Sequence, residues 1–172
     1  RGVADASDSE ARGNLMWAAT LAGMAFGNAG THLPHALSYG VTHLMDDVTT
    51  DGYPVASPFV PHGISVIVNA PSVFRHCAEG APERHLEAAQ CLGFDISDAG
   101  LGDAGEVVAS RLIELMRSTD MPNGLGGVGF SKYDAKRLAA SAIRQGRAIA
   151  NGPRETNQND IETIYERAVS YW

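Results

Sequence analysis

The sequence predicts an all-helical bundle, and three observations lead to this prediction. Apolar residues recur at helical spacing in most segments of the 172-residue chain. Prolines and glycines occur where the helical patterns begin and end. The sequence shows no convincing pair of strands and no alternation of strand, helix and strand, so an α/β fold is not expected. A helical bundle is the architecture that satisfies all three observations.

The first helix is predicted over residues 14–26, "NLMWAATLAGMAF", which are apolar on nearly all sides and should therefore be buried. Gly27 and Gly30 break this helix. Thr31 is expected to cap a second helix that tolerates Pro34 in its first turn and ends near Gly40. Residues 41–60 contain Gly, two prolines and a Thr-Thr-Asp-Gly stretch. They predict a long loop.

Residues 62–77 leave two interpretations open. The β-branched run "ISVIV" would suit a strand, but Pro71 and the length of the segment favour a buried, kinked helix. A short helix is predicted over 82–93, because proline stands at its first position and glycine at its end. Another helix is predicted over 103–118 from the spacing of its apolar residues.

Two helices are predicted in the last third of the chain. "SKYD" at 131–134 resembles a capping box and should open a helix with an apolar face that runs from Ala135 to Ile143. The segment "ANGPRETNQND" links it to a final amphipathic helix. The apolar stripe of that helix consists of Ile161, Ile164, Tyr165, Ala168, Val169 and Trp172.

Composition excludes several classes of function. The net charge is −7 without a basic run, which argues against nucleic acids and anionic membranes as partners. The apolar runs are too short to cross a bilayer. The two cysteines, Cys77 and Cys91, form no C-x-x-C motif and suit a reducing compartment.

The first residues resemble the end of a linker. The chain starts at Arg1 with "RGVADASDSEARG" and shows no signal or transit pattern. We therefore expect residues 1–13 to be a linker or truncated upstream segment, and residues 14–172 to form one helical domain. A location in the cytoplasm is expected, with a mature mitochondrial matrix chain as the alternative.

Two glycine-rich motifs do not predict nucleotide binding. "GLGDAG" at 100–105 has the spacing G-x-G-x-x-G, but no strand precedes it, so it is interpreted as the turn before the next helix. "NGLGGVGF" at 123–130 lacks the Lys-Ser/Thr of a P-loop and is interpreted as a connector.

His35 and His62 are the best candidates for metal ligands. Each follows a proline and precedes a small residue, which leaves room for an ion to approach. Neutral imidazole is the commonest metal ligand, although most buried histidines are hydrogen-bonded core residues. Two histidines alone rarely hold a catalytic divalent ion. The residues by themselves therefore indicate half of a metal site or none.

The remaining histidines are given ordinary roles. His32 could share a helix face with His35, but it is interpreted as a helix-start residue bonded to water or backbone. Asp46 and Asp47 could supply carboxylate ligands, and a solvated acidic loop is the favoured reading. Three histidines are interpreted as solvated: His43, His76 and His85.

Several motifs together resemble the iron-containing (group III) alcohol dehydrogenase family. They are "AGMAFGNAGTHLPHALSYG", "VPHGISVIV" and "PERHLEAAQCLG", followed by "DAG" and "NGLGGVG". Within the family, they are most similar to the hydroxyacid-oxoacid transhydrogenase branch. The resemblance covers about Leu15 to Trp172 and implies the C-terminal, all-helical metal-binding domain of the dehydroquinate synthase-like fold.

The resemblance implies a divalent metal, iron or zinc, held by one Asp and three His. The third ligand maps onto His35 and the fourth onto His62. The first two ligands lie upstream, beyond the 34 residues that precede His35 here. The resemblance also implies an upstream Rossmann-like domain that binds NAD(P). Phe26 maps onto an aromatic residue beside the nicotinamide pocket. Tyr39 stands where many members of the family carry a second histidine. Its hydroxyl could relay a proton or simply form a hydrogen bond.

The implied function is metal-dependent, NAD(P)-linked oxidation of a small alcohol or hydroxyacid, of the 4-hydroxybutyrate class. The isolated chain is expected to be inactive and to bind metal weakly or not at all. It is also expected to form a homo-oligomer through the apolar helix at 14–26. A non-catalytic helical scaffold or interaction module derived from this domain remains the alternative.

Overall fold

The computed structural model describes residues 1–45 and 58–172. Within these ranges every regular element is helical, with nine α-helices and four short 3-10 helices. This confirms the predicted fold class. Asp46, Asp47 and most of the loop predicted at 41–60 lie outside the described residues. The chain divides into two compact units, residues 1–31 and residues 32–172.

The first unit is dominated by one long helix, α1 (Ser9–Ala29). It begins five residues before the predicted start, because the Asp8 carboxylate accepts a hydrogen bond from the Ala11 amide at 2.9 Å and caps it. The prediction that this helix is buried is wrong: Trp17 is 62% exposed and Met24 is 63% exposed. Apolar character on all sides requires a covering surface, and residues 1–31 supply too little of one for a 21-residue helix.

The second unit contains the other eight described α-helices. They are α2 (Leu33–Leu44), α3 (His62–Ile67), α4 (Ala70–Cys77), α5 (Pro82–Cys91), α6 (Ala104–Ser118), α7 (Ala135–Ala142), α8 (Gly146–Ala150) and α9 (Gln158–Arg167). No helix in the described ranges is long and apolar enough to span a membrane. Helix α8 was not predicted, because its residues up to Ile149 lie between the apolar face that was expected to end at Ile143 and the linker that was expected to begin at Ala150.

Helix α2 differs from its prediction at both ends. Its N-cap residue is His32 rather than Thr31, with Pro34 in the first turn as expected. The helix does not end at Gly40 but continues to Leu44. Gly40 is buried, and a Cβ at this position would overlap the hydroxyl of Tyr165. This glycine therefore permits close packing and does not terminate the helix.

The segment 62–77 forms the kinked helix that its length and proline favoured. Helices α3 and α4 are separated at Val68 and Asn69, and Pro71 lies in the first turn of α4. The Asn69 side-chain amide donates to the Ser65 carbonyl at 2.7 Å. This bond satisfies one backbone acceptor at the break between the two helices.

The predicted boundaries of α5, α6 and α7 are confirmed closely, whereas the break predicted at Gly27 is wrong, because α1 continues through it to Ala29. Pro82 is the first residue of α5, and Gly93 follows that helix with a φ of 80°. The motif at 100–105 forms the 3-10 turn Leu101–Asp103 and the first two residues of α6, and the Gly100 amide donates to the Asp103 carboxylate at 2.9 Å. At the predicted capping box, the Ser131 amide donates to the Asp134 carboxylate at 2.7 Å.

One apolar core holds the second unit together. Helix α2 packs against α3, α7 and α8, while α4 packs against α6 and α9. The stripe predicted on the last helix is confirmed at Ile161, Ile164, Tyr165 and Ala168, which are all buried. The end of the stripe is only partly right, because Val169 is half-buried and Trp172 is 43% exposed.

Candidate metal-ligand pair and its surroundings

His35 and His62 lie side by side. Their ring centroids are 5.3 Å apart, and the ring planes are tilted by 55°. His35 is partly buried in the first turn of α2, and His62 is the exposed first residue of α3. Twenty-six residues separate them in the sequence, so the packing of α2 against α3 creates the pair.

The two histidines have matching local settings. A proline precedes each one, and each lies in the first turn of its helix. The hydroxyl of Ser38 donates to the His35 carbonyl at 2.7 Å, and the hydroxyl of Ser65 donates to the His62 carbonyl at 2.8 Å. These serines satisfy the backbone acceptors of the two histidines without engaging the imidazole rings.

The electrostatics favour a neutral His35. Burial lowers the pKa of His35, and the nearby His62 lowers it further. Neutral imidazole is the form that binds metals. Among the described residues, no hydrogen-bond partner is found for either imidazole ring.

The pair has the donor chemistry of a metal site, but too few ligands for one among the described residues. Imidazole suits iron and zinc, so the donor chemistry of His35 and His62 fits these ions. In the described part of the chain, no group of three or more His, Cys, Asp or Glu side chains could hold a metal ion. A catalytic ion usually needs at least three protein ligands. The described residues therefore supply two donor positions and would need others to complete a site.

Tyr39 and Phe26 have exposed side chains. Tyr39 lies one helical turn after His35 on the same face of α2, is 43% exposed, and has its ring centroid 6.0 Å from that of His43. Phe26 is 53% exposed on α1, in the first unit. Their roles in proton transfer and at the nicotinamide stay predictions.

His32 begins a row of three rings that sequence reasoning missed. Its ring meets Phe74 edge-on at 5.9 Å, and Phe74 meets His85 at 5.7 Å. Burial lowers the pKa of His32, and the neighbouring His85 and His35 lower it further. No described residue accepts from or donates to the buried Nδ1 of His32. The helix-start position was predicted correctly, but the described chain offers this nitrogen no backbone partner.

Two of the three histidines predicted to be solvated are not. His85 is 7% exposed, and its Nδ1 lies 2.8 Å from the Ala81 carbonyl. His76 is half-buried, and its Nε2 lies 3.0 Å from the Thr156 hydroxyl. His43 is exposed, as predicted. Charged sequence neighbours indicated a polar face for His76 and His85, but a backbone carbonyl and a hydroxyl pair with these rings in the fold.

The turn at 100–105 borders a shallow cavity of about 320 Å³. Its polar lining is acidic and includes Asp95, Asp98 and Asp103. An acidic lining repels phosphate, which supports the interpretation that the G-x-G-x-x-G spacing here marks a turn and not a nucleotide loop.

Comparison with known proteins supports the family resemblance over the whole chain. The model of the C-terminal part of the Fe-containing alcohol dehydrogenase family matches residues 1–169. The chain belongs to this family. Its helical fold is therefore that of a C-terminal Fe-containing alcohol dehydrogenase domain.

The relatives are much longer than this chain. It is 37% identical over its full length to mitochondrial hydroxyacid-oxoacid transhydrogenase of Bos taurus, and 38% identical to that of Pongo abelii. It spans 37% of the length of each relative. A solved structure of 1,3-propanediol oxidoreductase matches 97% of this chain with a TM-score of 0.83 and 28% identity, and the match covers 40% of that protein.

Proposed function

We propose that this chain is the metal-binding helical domain of a metal-dependent, NAD(P)-linked oxidoreductase that acts on small alcohols or hydroxyacids. The juxtaposition of His35 and His62, with centroids 5.3 Å apart, is the observation that carries the proposal. The transhydrogenase relatives support the hydroxyacid class, of which 4-hydroxybutyrate is the expected example.

His35 and His62 would supply two of the four ligands of an iron or zinc ion. When bound, such an ion polarises the oxygen of an alcohol or carbonyl as a Lewis acid. The lowered pKa of His35 favours its neutral form, which is the form that binds metals. The phenol oxygen of Tyr39, one turn further along α2, would hydrogen-bond the substrate or pass its proton to solvent.

The remaining parts of the site are proposed to precede this chain. They are an Asp and a His one helical turn apart, which complete the metal site, and a Rossmann-like domain that binds NAD(P). Phe26 would border the nicotinamide. Without these parts the 172-residue chain should show no NAD-linked turnover, since nothing in the described residues supplies the hydride acceptor.

A non-catalytic helical scaffold remains the second candidate. The observation that favours it is the presence of only two metal donors at the site among the described residues. The upstream coding sequence discriminates between the two functions. A strand followed by a glycine-rich turn and a helix, together with an Asp-x-x-x-His motif, supports the enzyme.

The cellular location stays a prediction. The sequence favours the cytoplasm, with the mitochondrial matrix as the alternative. The names of the two mammalian relatives place those proteins in mitochondria. Fractionation of the native cells with an antibody to this chain would decide between the two compartments.

Metal titration tests the proposed function directly. The 172-residue chain should bind Zn²⁺ weakly in competition with a chromophoric chelator, because two imidazoles lack the carboxylate charge and further ligands of a full site. Loss of outer-shell partners alone typically costs 10–100-fold in metal affinity. The substitutions H35A and H62A should therefore weaken binding by at least about tenfold.

The matched control is H43A, because His43 is an exposed histidine on the same helix as His35. This substitution should leave the affinity unchanged. Equal affinities in H35A, H62A and H43A would refute the assignment of the pair as metal ligands.

A further inference from the structure

The C-terminal segment, residues 158–172, comprises α9 and the residues after it. It makes a hydrogen bond to α2, the helix that bears His35. Tyr165, on α9, is fully buried, and its hydroxyl donates to the Leu37 carbonyl at 2.7 Å. Leu37 follows His35 by two residues on α2. Gly40, one turn further along α2, leaves the space that the phenol occupies. The position of the first turns of α2 is thus tied to α9.

The same segment reaches the helix that bears His62. Tyr171 follows α9, and its hydroxyl donates to the Val68 carbonyl at 3.0 Å. Val68 is the C-cap residue of α3, which begins at His62. The hydroxyl of Ser72, at the start of α4, donates to the Ile164 carbonyl at 2.9 Å. The break between α3 and α4 is thus tied to the same segment.

The C-terminal segment is itself held firmly. The Tyr171 amide donates to the Asn123 side-chain oxygen at 2.7 Å. The amides of Leu125 and Gly126 donate to the carbonyls of Ala168 and Val169, both at 2.8 Å. These bonds link residues 168–171 to the loop that begins at Asn123, so the two phenols extend from a fixed support.

Both phenols are suited to permanent hydrogen-bond donation. Burial raises the pKa of Tyr165 and of Tyr171 far above the usual value of tyrosine. Both hydroxyls are therefore protonated at neutral pH. Each meets a backbone carbonyl, an acceptor that does not titrate, so the two bonds do not depend on pH.

We propose that Tyr165 and Tyr171 are positioning residues that together set the separation of His35 and His62. The inference rests on the proposed function of the two histidines as metal ligands. One segment carries both phenols, and each phenol fixes one of the two histidine-bearing elements. The distance between His35 and His62 then depends on the C-terminal segment as well as on the contact between α2 and α3.

The test uses substitutions that remove only the hydroxyls, Y165F, Y171F and their combination, in the full 172-residue chain. Tyr133 supplies the matched control Y133F, because it is 85% exposed and lies on the 3-10 helix Lys132–Asp134. All measurements are made under conditions in which circular dichroism shows each variant to be folded.

Two readouts separate positioning from general stability. The first is the nuclear Overhauser effect between the carbon-bound ring protons of His35 and His62, measured without metal. The second is the Zn²⁺ affinity in competition with a chelator. We expect a weakened ring-to-ring signal in Y165F and Y171F and a loss of about tenfold in Zn²⁺ affinity, as for other residues that orient ligands. Y133F should match the unsubstituted chain in both readouts.

The outcomes distinguish this inference from the proposed function. If folded Y165F and Y171F keep the ring-to-ring signal and the Zn²⁺ affinity of the unsubstituted chain, the inference is wrong. If the unsubstituted chain binds no Zn²⁺ but the variants lose the signal, positioning holds and the metal assignment fails. Should Y165F not fold, Y171F decides alone, because Tyr171 is only partly buried at the end of the chain.

Discussion

Gly40 lies directly against the phenol of Tyr165. A Cβ built on Gly40 would overlap the Tyr165 hydroxyl and would come within 3.0 Å of the Leu138 carbonyl. Helices α2, α7 and α9 therefore pack so closely at position 40 that only glycine fits there. The stability of the helix that bears His35 depends on this contact.

G40A should destabilise the protein by about 1–3 kcal/mol, the usual cost of overpacking a core. The better helix propensity of alanine, worth about 0.5–1 kcal/mol, would offset only part of this cost. Urea unfolding followed by circular dichroism measures the change. The control is G63A on α3, where a Cβ would meet no atom of the described residues within 4 Å. An unchanged unfolding midpoint in G40A would contradict the packing argument.

Asn157 is the N-cap residue of α9 and forms a capping box with Asp160. Removing its side chain should lower the free energy of unfolding. Its side-chain oxygen accepts from the Asn159 and Asp160 amides at 2.8 and 3.1 Å, and its own amide donates to the Asp160 carboxylate at 2.9 Å. N157A should cost about 1 kcal/mol of unfolding free energy, whereas N157D should keep most of it. Equal stabilities of N157A and N157D in thermal unfolding would contradict this role of the side-chain oxygen.

The ion pair between Arg75 and Glu106 should make stability depend on pH in the acid range. The two side chains form a bidentate pair at 2.6 and 2.8 Å that links α4 to α6. The hydrogen bonds from Arg75 hold the pKa of Glu106 below its ordinary value of 4.5. Stability from Glu106 is therefore complete above pH 4.5 and is lost as the pH falls through the lower pKa of the folded state.

E106Q should lower the free energy of unfolding at pH 7 by less than about 1 kcal/mol, because Glu106 is largely exposed and solvent screens the pair. The difference from the unsubstituted chain should shrink below pH 4.5 and vanish in strong acid. Denaturant unfolding across this range measures it. E166Q removes the same charge at an exposed glutamate outside the ion pairs of the described residues. A difference that grew on acidification would show the assigned sign to be wrong.

Local signals predicted much of the fold, because they act within one turn of the chain. Pro82 at the start of α5 and Ser131 with Asp134 before α7 set boundaries through bonds between near neighbours. The helix was wrongly predicted to end near Gly40. Glycine is required there by the close contact with Tyr165, which is 125 residues away in the sequence. A close approach between distant helices leaves no local signature.

The candidate site likewise has residues that the sequence predicted and contacts that it could not predict. His35 and His62 were identified from the small residues and prolines beside them and from a family resemblance, and the structure brings them together. The positioning bonds of Tyr165 and Tyr171 could not be found from the sequence, since each joins a phenol to a backbone carbonyl more than 100 residues away. Backbone acceptors are the same at every residue and carry no sequence signal.

The exposed surface of α1 should cause the isolated chain to self-associate. From Gly13 to Ala29 the helix carries no charged residue. Six large apolar side chains are about half exposed or more: Leu15, Met16, Trp17, Leu21, Met24 and Phe26. A helix that is apolar on all sides is normally buried, and large exposed apolar patches become contact sites.

W17E should shift the chain toward monomer, because association would bury the new carboxylate without a partner. N14E places the same charge on an exposed polar position of the same helix and should leave association intact. Sedimentation velocity at micromolar concentrations compares the three chains. If the unsubstituted chain sediments as a monomer at every concentration, the exposed apolar side chains of α1 do not drive association. If N14E dissociates as W17E does, added charge rather than the loss of an apolar contact is responsible.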